Sequence, residues 1–163
     1  MTEIISYIGA LLVMLSAYLI GREYSLRIKK RLAETEGFCL LIAHIEGVID
    51  KFMSYGDELY SGFTNGALSE CGFLDRLKGG ASISELVPAI DCLSVSQKVK
   101  DILKELFTKL GGDYRDPELK RIGELKGRIN ELYKCESEEL NKSLKITRVL
   151  LLGGGLVIVI LGI

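Results

Sequence analysis

Polar and apolar positions divide this chain into three stretches. Residues 4–21 (IISYIGALLVMLSAYLIG) and 149–163 (VLLLGGGLVIVILGI) carry no charge; all 21 basic residues and 21 of the 22 acidic ones lie between them, Glu3 being the exception. At about 1.5 Å per helical residue the first stretch reaches roughly 27 Å and the second about 22 Å. A bilayer hydrocarbon core is about 30 Å thick, so the pattern predicts a membrane helix at each end. The second is short for a span, and its three adjacent glycines weaken it as an isolated helix. A buried core helix is the competing reading for either stretch. A cleaved leader competes for the first, but a leader opens on basic residues, and here the basic residues follow the apolar run.

The middle stretch, residues 22–148, reads as helical throughout. Residues 22–51 continue the first helix, with Phe38, Leu41, Ile42, Ile45, Val48, Ile49 and Phe52 recurring at three and four to give one broad apolar face. Gly37 and Gly47 interrupt it, and a bend is expected near Gly37. Glycines and an asparagine between residues 54 and 66 flank a short helix at 57–63. Residues 69–78 predict one helix, stopped by Gly79-Gly80. Ser82…Glu85 and Ser94…Gln97 each have capping-box spacing. The helix after the second has the cleanest face: Val95, Val99, Ile102, Leu103, Leu106, Phe107 and Leu110. A last helix opens at Asp116-Pro117, with the aspartate as N-cap and the proline in the first turn. Leu119, Ile122, Leu125, Ile129 and Leu132 give it an apolar face. After Tyr133 that face thins into Glu136, Glu138 and Glu139, so residues 133–144 are expected to stand clear of the core as a stalk. No stretch reads as a strand.

The predicted fold class is therefore all-α: a helical bundle at 22–148 flanked by transmembrane helices at 4–21 and 149–163. Charge near the membrane ends sets the orientation. Arg22, Arg27, Lys29, Lys30 and Arg31 follow the first apolar run, and Lys142, Lys145 and Arg148 precede the second. Basic flanks stay on the cytoplasmic side, which places the bundle in the cytoplasm and both termini across the membrane. The same cluster is a candidate surface for partners or for anionic lipid headgroups. Ala17 and Gly21, at small-xxx-small spacing, and Gly153, Gly154 and Gly155 are candidate contacts between membrane helices.

Composition narrows the chemistry. The middle stretch has 21 basic and 21 acidic residues, a balance that gives nucleic acid no basic surface to bind. Cys39, Cys71, Cys92 and Cys135 are spaced 32, 21 and 43 apart, with no CxxC and no Cys/His cluster for zinc or dithiol chemistry. Free thiols suit a reducing cytoplasm. The glycine pairs fit no phosphate-binding loop. Asp113, Asp116 and Glu118 resemble a metal cluster by type, but they lack EF-hand spacing, and the last two are explained as helix-start residues. The single histidine, His44, is a general base only in principle, since no nucleophile or carboxylate motif stands beside it. No cofactor is implied. Three function classes remain: a non-enzymatic adaptor, a small membrane enzyme or regulator using His44, and a holin-like membrane-active protein.

The order of features adds a resemblance. An apolar helix leads to Gly21-Arg22-x-x-Ser25 and a later Arg31-Leu32. The leucine-rich helix 40–52 follows with Ile45-Glu46, then the Leu110-Gly-Gly-Asp113 break, a long helix, and a glycine-containing apolar tail at 150–163. In this order and spacing the whole chain resembles the stage III sporulation protein AB family. Where that family places a proline shortly before the leucine matching Leu59, this chain has Gly56-Asp57-Glu58. The resemblance implies an all-helical cytoplasmic domain similar to that of the type II secretion F platform protein. It implies a place in the channel complex between mother cell and forespore, in the mother-cell membrane, with channel proteins and a cytoplasmic ATPase as partners. It brings no catalytic residue with it.

Overall fold

The computed structural model describes the backbone of residues 2–52, 57–112 and 114–161, and side chains from residue 18 to 144 with few gaps, together with residues 9, 11, 12, 15 and 16. Every regular element described is a helix. α1 spans Thr2–Phe52 and α6 spans Arg115–Leu161. Between them lie a single 3-10 turn at Asp57–Tyr60 and four shorter helices: α2 (Gly66–Glu70), α3 (Phe73–Lys78), α4 (Ile83–Asp91) and α5 (Gln97–Lys109). The all-α class is as the sequence predicts.

The chain divides into two compact units: Met1–Lys29 with Ser137–Ile163, and Lys30–Glu136. The second unit holds the core. Phe38, Leu41, Ile42, Ile45 and Ile49 of α1 are fully buried, as are Val99, Leu103 and Leu106 of α5 and Ile122 and Ile129 of α6. At its centre the Phe38 and Phe73 rings meet edge-on, 5.1 Å apart at 76°, and Phe73 lies 5.7 Å from Phe107. Such contacts add to the hydrophobic term, because each ring edge is electropositive and each face electronegative. They tie α1, α3 and α5 together.

Local chemistry sets where the short helices start and stop. Asn65 caps α2 by accepting the Leu68 N–H at 3.1 Å. The predicted helix at 69–78 is split in two, because Gly72 takes a left-handed φ of 70° that no helix interior accommodates. α3 ends in a Schellman turn: the Ala81 N–H donates to the Arg76 carbonyl at 3.2 Å and the Gly80 N–H to the Leu77 carbonyl at 3.4 Å. The Ser82–Glu85 capping box is present at the start of α4.

Other details differ from the sequence reading. α5 starts with Ser96, not Ser94, at its N-cap position, and the Ser96 hydroxyl makes no capping hydrogen bond among the described residues; the Ser94 N–H donates to buried Glu34 at 2.8 Å. α6 begins one residue before Asp116, so that residue lies inside the first turn rather than capping it. Gly37 lies within the unbroken helix α1, and its role is close approach. A Cβ there would sit 2.8 Å from Asn65 Oδ1 and 2.9 Å from Leu68 Cγ, so only glycine lets the α2 cap pack this tightly. The stalk expected at 133–144 is also corrected. Glu136 is 6% exposed and Leu140 8%, because α6 keeps one buried face past Tyr133.

The first unit is helical where described, comprising the start of α1 and the end of α6. Among the described residues no helix is long and apolar enough to cross a membrane. The spans expected at 4–21 and 149–163 thus gain no support from the fold. Most of their side chains, and residues 162 and 163 entirely, lie outside the described residues.

Candidate interaction surface

The five basic residues singled out in the sequence occupy one segment of α1, but they do not share one environment. Arg22, Arg27, Lys29 and Lys30 are exposed. Arg27 Nε donates to Glu23 Oε1 at 3.1 Å, one turn back, with both side chains mostly in solvent. Such a pair contributes only a few tenths of a kcal/mol. Arg31 is different. Its side chain is 31% exposed, and Nε lies 3.6 Å from the carboxylate of buried Glu136.

That contact belongs to a polar cluster at one end of the second unit. The Thr35 hydroxyl lies 2.9 Å from the Arg31 carbonyl and 3.3 Å from Glu136 Oε2 and donates to either. One residue earlier, Glu34 is 1% exposed and holds the Ser94 N–H. A buried carboxylate costs several kcal/mol to desolvate unless it is paired and hydrogen-bonded. The residue types on α1 and α6 must therefore meet in this register. Sequence reasoning missed Glu34, Thr35 and Glu136 as a group. The available signal was their interruption of otherwise buried helix positions.

A second clasp closes the α5–α6 connection. Glu118 is fully buried, accepts from Arg121 at 2.6 Å and lies 3.3 Å from the Gly111 N–H. Arg121 also donates to the Lys109 carbonyl at 2.8 Å, satisfying the end of α5. α1 and α6 are bridged again by Lys126–Glu46 at 2.6 Å and by Arg115, which donates to the Asp50 carbonyl at 2.6 Å and to its carboxylate at 2.8 Å.

The candidate reactive groups do not converge. His44 is half-buried and packs on the Phe63 ring at 5.3 Å. Its Nε2 has no hydrogen-bond partner among the described residues. Asp113 lies outside the described residues, and Glu118 is committed to the clasp. Among the described residues no three His, Cys, Asp or Glu side chains come together in a metal-binding arrangement. Burial pushes the Cys39 thiol up to about 11, helped by Glu36 and Glu136 nearby, and burial also raises Cys71. Cys92 and Cys135 are exposed. Tyr133 is raised by partial burial and by Glu36.

The described residues line several concavities. One of about 730 Å³ in the first unit is lined by Leu19, Ile20, Arg22, Glu23, Tyr24, Leu26 and Arg27. Two smaller ones lie in the second unit. An apolar one of about 240 Å³ is lined by Leu59, Leu77, Ile83, Leu86 and Phe107 among others. A charged one of about 350 Å³ runs along α5 and α6 past Lys98, Asp101, Arg128 and Glu131. Of the proposed membrane-helix contacts, Gly21 is partly buried, while the surroundings of Ala17 and of Gly153, Gly154 and Gly155 lie outside the described side chains. No protein-family model, curated protein or solved structure matches the chain.

Proposed function

We propose that this chain is a non-enzymatic, membrane-anchored adaptor. Its uncharged ends lie in a bacterial cell membrane, and the helical body at 22–148 docks neighbouring proteins in the cytoplasm. The resemblance to the stage III sporulation protein AB family extends the proposal to the channel complex between mother cell and forespore. There the body would link a cytoplasmic ATPase to the channel from the mother-cell membrane, transforming no substrate. One observation carries the reading. α1 and α6 are single helices that run from a packed core into the uncharged ends, so a load on the body passes to the ends without an intervening loop. Ser16 adds support, because its hydroxyl donates to the Leu12 carbonyl at 2.8 Å and so needs no water.

Two measurements test it. Alkaline carbonate should leave the intact chain in the membrane pellet; release into the supernatant would remove the anchor. Crosslinking in cells making spores should capture membrane channel proteins and an ATPase, and charge reversal at Arg22 and Arg27 should weaken their capture. A monodisperse, partnerless chain in gentle detergent from such cells would overturn the adaptor role.

A further inference from the structure

We draw no further inference here: the strongest candidate, the apolar groove of about 240 Å³ that the 3-10 turn, α3, α4 and α5 form around Leu59, Leu77, Ile83, Leu86 and Phe107, is an unpartnered face of the second unit, and nothing in the structure shows what covers it.

Discussion

Two glycines of α1 look alike in the sequence and differ in the structure. A Cβ at Gly37 would meet Asn65 Oδ1 at 2.8 Å, whereas at Gly47 nothing lies within 4 Å. Gly37→Ala should therefore destabilise by about 1–3 kcal/mol through overpacking. Gly47→Ala should stabilise by up to about 1 kcal/mol through helix propensity. Thermal or urea unfolding of the two variants separates them, and equal effects would show that the tight approach at Gly37 is not real. The cysteines sort in a similar way. The thiolate is the reactive form, so a Cys39 thiol pushed up to about 11 is roughly one part in a thousand ionised at pH 8. Alkylation of the native chain should be fast at Cys92 and Cys135 and much slower at Cys39 and Cys71, as read by peptide mapping. The sign for stability follows. Folding favours the protonated Cys39 thiol, so its contribution is complete below the reference value of 9.0 and is lost as pH rises through about 11. Cys39→Ser should flatten the alkaline limb of the stability profile. None of this was legible in the sequence, where a cysteine or a glycine on a helix carries no mark of what faces it.

At the scale of elements the legible part was periodicity. The apolar faces of α1, α5 and α6 are buried where spacing placed them, from Phe38 to Ile49, Val99 to Phe107 and Ile122 to Ile129. The Ser82–Glu85 box was legible because both partners of a reciprocal cap are local. Ser94 was misread for the opposite reason. Its backbone N–H is taken by Glu34, sixty residues away, and α5 starts two residues later, with Ser96 at the N-cap position. Likewise Glu136 looked like the start of a solvated stalk until Thr35 and Arg31 met it across the bundle. Long-range polar pairs leave no period in a sequence. These clasps make a prediction at the same scale. Glu136→Leu removes a carboxylate but leaves the Thr35 hydroxyl with its Arg31 carbonyl, whereas Glu118→Leu strips Arg121 and the Gly111 N–H of a shared acceptor. Breaking a buried pair by removing one partner costs about 3–5 kcal/mol, so Glu118→Leu should be the more damaging of the two in denaturant melts.

For the whole molecule, the division into two units decides what can stand alone. Every member of the hydrophobic core lies between Phe38 and Ile129, within the unit Lys30–Glu136. The clasps at Glu34, Glu136 and Glu118 and the bridges of Lys126 and Arg115 lie within it too. Nothing in that inventory calls on residues 2–29 or 137–161. A chain of about this length is long enough to bury one self-sufficient core. A polypeptide of residues 30–136 should therefore fold without detergent, with strong helical dichroism and a single unfolding transition whose calorimetric and van't Hoff enthalpies agree. Phe73→Ala removes the ring that meets both Phe38 and Phe107 and should cost about 3–5 kcal/mol. That is a large share of the roughly 5–15 kcal/mol by which a domain this size is stable, so the transition midpoint should fall steeply. The same fragment should stay in the supernatant with vesicles of any charge, because the uncharged ends and the basic residues Arg22 and Arg27 beside them are gone. If it sediments with phosphatidylglycerol, the lipid contact lies on the body, and the adaptor's docking face and its membrane face are one surface.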